Sequence, residues 1–298
     1  MSPALHASVA LLTLDDRSAY VIDDDLAIAE LRARGHAVEE IPWRRRGVDW
    51  GAFDLVVIRT TWDYQHDLSA FFASLAAIEA AGTPLANAGA LVRWNARKTY
   101  LRDLADRGVP IVPTRWGHDL SAAGLTALCA ASGDDGCVLK PTVSANAHDT
   151  FRLPRAVDPA VAAEVAARFA DRDWMLQPFL RAIVDEGEFS VFYFDGAYSH
   201  AIVKRPKSGD FRVQEEHGGL ITPLDADAAL RADADRAMAA LDAAPLQARV
   251  DLVRLDDGTL ALMELEAIEP SLYFRTHPRA AANFADAVDR RLARLPPR

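Results

Sequence analysis

The chain has 298 residues, 50% apolar and 26% charged, with a formal net charge of -10. That composition suits a globular protein large enough for two or three subdomains, and its negative balance argues against a nucleic-acid groove or an anionic membrane face as partner. Cys129 and Cys137 are the two cysteines, which implies no disulfide framework; with no membrane-length apolar run and no signal pattern, the expected location is the cytoplasm.

Residues 8–14 (SVALLTL) read as a buried first strand, followed by a helix over 26–34 that Gly35 closes. Asp23-Asp24-Asp25 reads as an N-cap and acidic first turn, with a ligand role as the alternative. Residues 38–41 and 55–58 read as two further strands, and a helix runs from about 68 to 81. Alternating strands and helices predict an α/β unit with a parallel sheet, whose ligands bind beyond the carboxyl ends of the strands. Arg59, Thr60, Trp62, Asp63 and Tyr64 lie at such an end. They either face a ligand or form an aromatic corner in which Arg59 pairs with Asp63.

Residues 84–93 read as a connection, and 94–110 as a helix that carries Lys98 and ends at Gly108 and Pro110. A helical lysine is ordinarily solvent decoration. Residues 137–141 form a short strand that delivers Lys140 and stops at Pro141. The loop 142–150 is small and polar but holds no glycine, which weakens any claim that its N–H groups cover phosphates. A helix at 158–170, a strand at 174–179, a hairpin over 186–204 turned at Asp195-Gly196, and helices near 225–242 and 279–293 follow. There is no internal repeat.

The most informative stretch is 249–270, RVDLVRLDDGTLALMELEAIEP. Two alternating runs flank Asp257-Gly258, a strong hairpin signal. With those two residues as the turn, Asp251 falls opposite Glu264 and Arg249 opposite Glu266. Glu264 and Glu266 share one face, roughly 7 Å apart, while Ala261, Met263, Leu265 and Ala267 point into a core. A solvated edge explains scattered charge, but three acids converging on one face repel one another unless cations join them. An all-oxygen ligand set suits Mg²⁺ or Mn²⁺.

Lys98, Lys140-Pro141, Gln177-Pro178-Phe179-Leu180, Gly187-Glu188, Arg249-x-Asp251 and Glu264-x-Glu266 occur in the order found in ATP-grasp enzymes, which the chain resembles from about residue 90 to its end. The first 90 residues resemble the domain that precedes the ATP-grasp unit. Residues 205–219 are similar to the matching segment of prokaryotic glutathione synthetase, and RTTWDY and MELEAIEP are closer to the O-ureidoserine cyclo-ligases that form cycloserine.

This resemblance implies a mixed α/β fold divided into a pre-ATP-grasp domain (1–92), a linking helical part (93–135), a lid subdomain (136–206) and a C-terminal subdomain with the metal site (207–298). It implies Lys98, Lys140 and Ser144 at the nucleotide phosphates, Gln177, Pro178, Phe179 and Leu180 at adenine, and Glu188 at the ribose, where a plain strand-end acid is the alternative. Pro178 has no N–H, but its carbonyl can accept while Leu180 donates. Asp251, Glu264 and Glu266 would hold two Mg²⁺, with Mn²⁺ as the variant. Lys204, Arg205 and Arg212 form a basic cluster suited to a γ-phosphate or a substrate carboxylate, or else a charged hairpin tip. Arg249 would stabilise an oxyanion. Arg59, Thr60, Asp63, Tyr64 and Arg212 would line the acceptor pocket, with Asp63 on a substrate ammonium.

Two features depart from the family pattern. Glu266 stands where Asn is usual, and the phosphate-covering loop lacks its customary glycines. The implied activity is ATP-dependent carboxylate–nitrogen ligation through an acylphosphate, on a small amino-acid-like molecule and within one molecule. An intermolecular ligase, a kinase-type phosphotransferase and a non-catalytic nucleotide-binding protein are the rivals. A monomer or homodimer is expected.

Overall fold

The computed structural model describes residues 6–296. Four short apolar runs build the first sheet: β1 (Ser8–Thr13), β2 (Ala37–Pro42), β3 (Leu55–Thr60) and β4 (Leu85–Ala86), parallel in the order β2-β1-β3-β4. Helices α1 (Asp24–Ala33) and α2 (Leu68–Ala80) connect them. All of β3 is buried, as a parallel strand covered on both faces should be.

The helix expected over 94–110 is two helices, α3 (Gly89–Asn95) and α4 (Tyr100–Asp106), and Lys98 sits in the break between them. There the Lys98 N–H donates to Thr142 O at 2.7 Å, a carbonyl from a different segment, so the helical ladder is interrupted.

A second sheet, antiparallel in the order β5-β8-β6-β7, comprises β5 (Arg115–His118), β6 (Cys137–Pro141), β7 (Phe151–Leu153) and β8 (Asp173–Pro178). It carries α5 (Ala122–Ala130) and α6 (Pro159–Ala167). Asp158 caps α6 by accepting from Ala160 N–H at 2.8 Å, with Pro159 opening the helix.

After the short α7 (Ala182–Asp185) come β9 (Glu188–Phe194), β10 (Ala197–Arg205), β11 (Leu220–Leu224), α8 (Ala228–Ala239), β12 (Gln247–Arg254) and β13 (Leu260–Glu266). The five strands form an antiparallel sheet, β11-β10-β9-β12-β13. Asp195 and Gly196 both take positive φ in the β9–β10 turn, which is why that pair signalled a hairpin. The last helix, α9 (Ala280–Ala293), returns to the start of the chain, where Phe284 and Val288 share a core with Val9 and Leu31.

A buried polar knot joins the first sheet to the third. Arg59, 1% exposed at the end of β3, donates to Asp24 at 2.7 Å, Gln247 Oε1 at 2.9 Å and Pro270 O at 3.2 Å. Gln247 in turn donates to Ile58 O and Ile268 O. A charge this deep is tolerated because it is paired and hydrogen-bonded. No described helix is long and apolar enough to cross a membrane.

Candidate active site

In the β12–β13 hairpin Asp251 faces Glu264 and Arg249 faces Glu266, the pairing expected from the sequence but reached by another route. The loop has three residues, Asp256-Asp257-Gly258, with Gly258 at φ 88° and Leu255 N–H bonded to Thr259 O. That extra residue would offset the register by one, and a bulge between Asp251 and Leu252 restores it. Met263 is the residue left over. It therefore lines the cleft instead of the core, its Sδ 3.9 Å from Lys140 Nζ, while Ala261, Leu265 and Ala267 are buried as expected.

The cleft lies between the second and third sheets, with loops 142–150 and 206–219 and residues of the first unit around its mouth. One oxygen from each of Asp251, Glu264 and Glu266 comes within 4.8 Å of the others. An oxygen-only donor set of this charge fits Mg²⁺. Cations of the chain also meet these acids. Arg249 donates to Asp251 at 2.9 and 3.0 Å and to Glu266. Lys98 Nζ lies 2.5 Å from Glu264 and 3.0 Å from Ser144 O. Lys204 Nζ lies 2.6 Å from Glu188 and 3.3 Å from Asp251, and Ser190 Oγ donates to Asp251 at 2.5 Å.

These contacts separate the acids by ionisation. Burial opposes the charge on Asp251, but Arg249 and then Lys204 outweigh it and hold the carboxyl well below its usual range. For Glu264 burial is likewise overcome, by Lys98 and Lys140, and the carboxyl titrates lower than usual. Glu266 goes the other way: burial dominates, Glu264 and Asp251 add to it against Arg249, and its carboxyl is pushed up to about 7.

On the opposite wall, β6 brings Lys140 and β8 brings Gln177 and Pro178. Lys140 makes no ion pair among the described residues, and burial draws its ammonium below the usual range. Phe179 N–H is taken by Gly136 O at 3.1 Å. Residues 137 and 178 are then a non-hydrogen-bonded pair, so the Pro178 carbonyl points away from β6. Leu180 N–H has no partner among the described residues. One free acceptor and one free donor two residues apart can take the edge of a planar heterocycle. In loop 142–150, Asn146, Ala147 and Asp149 adopt positive φ, so residues with side chains make the turns expected of glycine. Asp149 is anchored by Arg172 at 2.8 Å, and Ser144 is buried on the cleft wall.

Several expected positions fall elsewhere. Arg59 does not line the cleft; it pairs with Asp24, not Asp63, because β3 buries it at the junction of two sheets. Thr60 is buried outside the cleft lining. Asp63 is turned away, accepting from Trp43 Nε1 at 2.6 Å and Arg44 Nε at 3.2 Å. Tyr64 and Trp62 do line the cleft, as do Glu188, Lys204 and Arg212. Strand alternation leaves Arg205 exposed while its neighbour Lys204 points inward, and Arg212 pairs with Asp210 at 2.8 Å. Glu269, buried and on the cleft wall, was not among the expected site residues. It follows β13 where alternation ends, so periodicity gave it no face.

A family model for the N-terminal domain of D-cycloserine synthetase DcsG matches residues 9–87. The cycloserine biosynthesis protein DcsG of Streptomyces lavendulae is 34% identical over 300 aligned residues, covering 95% of this chain and 98% of the relative. The crystal structure of D-cycloserine synthetase DcsG superposes with a TM-score of 0.84 at 32% identity, over 96% of this chain and 99% of that one. A RimK domain ATP-grasp protein from Sphaerobacter thermophilus shares the fold, with a TM-score of 0.67 at 20% identity over 95% and 99% of the two chains. The chain belongs to the DcsG family of ATP-grasp ligases, enzymes that use ATP to form a carbon–nitrogen bond.

Proposed function

We propose that the enzyme activates the carboxylate of a small amino-acid-like substrate as an acylphosphate and closes a ring onto a nitrogen of the same molecule. The observation that carries the reading is the set of unmet groups in one cleft. Lys140 lacks an acid partner, Leu180 N–H and the outward Pro178 carbonyl offer a donor and an acceptor, and three acids gather opposite. They correspond to phosphate, adenine and metal. The relationship to a cycloserine biosynthesis protein supports ring closure over intermolecular ligation.

In this reading Lys98, Lys140 and Ser144 hold the phosphates and residues 177–180 hold adenine. Glu188, fixed by Lys204, faces the ribose. Asp251, Glu264 and Glu266 would hold two Mg²⁺, or Mn²⁺, which neutralise charge on the phosphate oxygens. A substrate carboxylate oxygen attacks the γ-phosphorus and ADP leaves. The substrate nitrogen then attacks the acyl carbon, loses its proton, and phosphate departs. Arg249 stabilises the oxyanion between those events, Arg212 meets substrate carboxylate or γ-phosphate, and Tyr64 borders the acceptor. The rest is positioning. A 1–92, 93–135, 136–206 and 207–298 division of labour and a cytoplasmic site, where ATP is available, belong to the same reading.

The test is phosphate release from ATP with O-ureidoserine alone, then with single amino acids and with pairs. Release with one compound and a cyclised product supports the proposal. Release only with pairs overturns ring closure, and a phosphorylated product without free phosphate indicates a kinase instead.

A further inference from the structure

The buried acids on the cleft wall have partners, with one exception. Glu188 is paired with Lys204, Asp251 with Arg249 and Lys204, Glu264 with Lys98, and Glu266 with Arg249. Glu216, at the mouth, is exposed to solvent. Glu269 is 8% exposed and lines the cleft, yet its carboxylate makes no ion pair among the described residues and its hydrogen bond comes from its own backbone. It stands outside the three-acid group. The cation that acts on it, Lys98, is already paired with Glu264, and an anion held so deep without an ion pair of its own is costly unless a ligand supplies one.

Its surroundings suit a particular cation. Trp62 Nε1 donates to the Glu269 backbone carbonyl at 2.7 Å and fixes that segment against the loop after β3. Tyr20 packs on Trp62 with ring centroids 5.0 Å apart, and both line the cleft with Tyr64. Burial, and then the nearby Glu269 carboxylate, push the Tyr64 phenol well above its usual range. A carboxylate without an ion pair, on a wall that also carries aromatic rings, suits an organic ammonium, which gains a charge-assisted hydrogen bond and favourable ring electrostatics.

We propose that Glu269, with Trp62 and Tyr64 beside it, receives the ammonium group of the amino-acid substrate and so determines specificity. This rests on the proposed activity toward an amino-acid-like molecule, and it assigns the ammonium to Glu269 and not to Asp63, which is engaged by Trp43 and Arg44 outside the cleft lining. An ammonium held at Glu269 leaves the other end of the substrate, its carboxylate, for the cations of the same cleft, Arg212 and Arg249. Orientation is then set by two opposite charges at two places.

The experiment compares wild type and Glu269→Gln with O-ureidoserine and with its deamino analogue, in which hydrogen replaces the amino group. If that compound drives no phosphate release, the amino acid that does is used with its own deamino analogue. Glu269→Gln should raise KM for the amino substrate about 10- to 100-fold, leave KM for ATP and the Mg²⁺ dependence unchanged, and add no penalty with the deamino compound. Equal losses with both compounds, or a shift in Mg²⁺ dependence, would overturn the assignment and leave the ligase reading standing. Release with no amino-bearing compound at all would remove both.

Discussion

Arg249 offers the sharpest test of how the acid cluster is held together. It is 7% exposed, binds Asp251 through two nitrogens, and is the sole ion-pair partner of Glu266 among the described residues. Replacing it by Met keeps the volume and removes the charge. Breaking a buried pair from one side costs about 3–5 kcal/mol. Here the lower end applies, for two reasons visible in the structure. Asp251 keeps Lys204 at 3.3 Å and Ser190 Oγ at 2.5 Å. Glu266, already pushed up to about 7, can escape its isolation by taking a proton.

We therefore expect Arg249→Met to lose about 3 kcal/mol and to melt about 6 °C lower in metal-free buffer at pH 7.5. Adding Mg²⁺ should recover more of the melting temperature in the variant than in the wild type, because a bound cation replaces the missing charge. Calorimetry with and without Mg²⁺ measures both. A variant that melts within a degree of wild type in metal-free buffer would refute the view that Arg249 is the counter-charge of the cluster. Under the proposed oxyanion role, the same substitution should lower kcat by about 10²- to 10³-fold.

Three further outcomes follow from individual groups. Because the Glu266 carboxyl is raised to about 7, it carries a proton in a growing fraction of molecules below that pH, and Mg²⁺ must displace it; titration calorimetry should show affinity falling toward tenfold per unit below pH 7, and Glu266→Asn should flatten the dependence. Lys140→Ala should raise KM for ATP about 10- to 100-fold, or about 1.4–2.8 kcal/mol, with little change in stability because no ion pair is lost; an unchanged KM would take Lys140 out of the nucleotide site. His200 is buried, bonded to Leu272 O at 3.0 Å and stacked on Phe192, and burial depresses its imidazole to about 4. The folded state thus resists protonation that the unfolded chain accepts near 6.5, so about 3 kcal/mol of stability is present above pH 6.5 and is lost as pH falls through 4; denaturation of His200→Asn at pH 5 and 7.5 should show this part of the slope gone.

Much of this site could be read in the sequence because its signals are local. Alternation and an Asp-Gly turn put three acids on one face, although the correct register rested on a longer loop and a bulge that cancel each other. Met263 shows what that cancellation hides: a period-two pattern cannot mark a bulge, so alternation alone puts its side chain on the core face. Long-range pairing was not legible at all. Nothing near Arg59 says that its acid is Asp24, 35 positions earlier, rather than Asp63, four positions later. The break at Lys98 is invisible locally for the same reason, since the carbonyl that interrupts the helix belongs to Thr142.

That break also explains why Lys98 and the acid-bearing strand β13 meet. β13 is the edge of its sheet, and an edge strand presents unpaired backbone groups. Here the outer edge is occupied by the segment that precedes the second sheet. Asn95 brackets it through Leu265 O and Ala267 N–H, the Tyr100 hydroxyl accepts from Leu265 N–H, and Leu262 exchanges bonds with Pro110 O and Val112 N–H. Lys98 lies between Asn95 and Tyr100, so the same bonds that satisfy the edge hold its ammonium beside Glu264. Meanwhile its own N–H, bonded to Thr142 O, ties that position to the start of loop 142–150. One short turn thereby fixes the acid cluster, Lys98 and loop 142–150 in a common frame, and positioning of this kind is what the proposed chemistry would depend on.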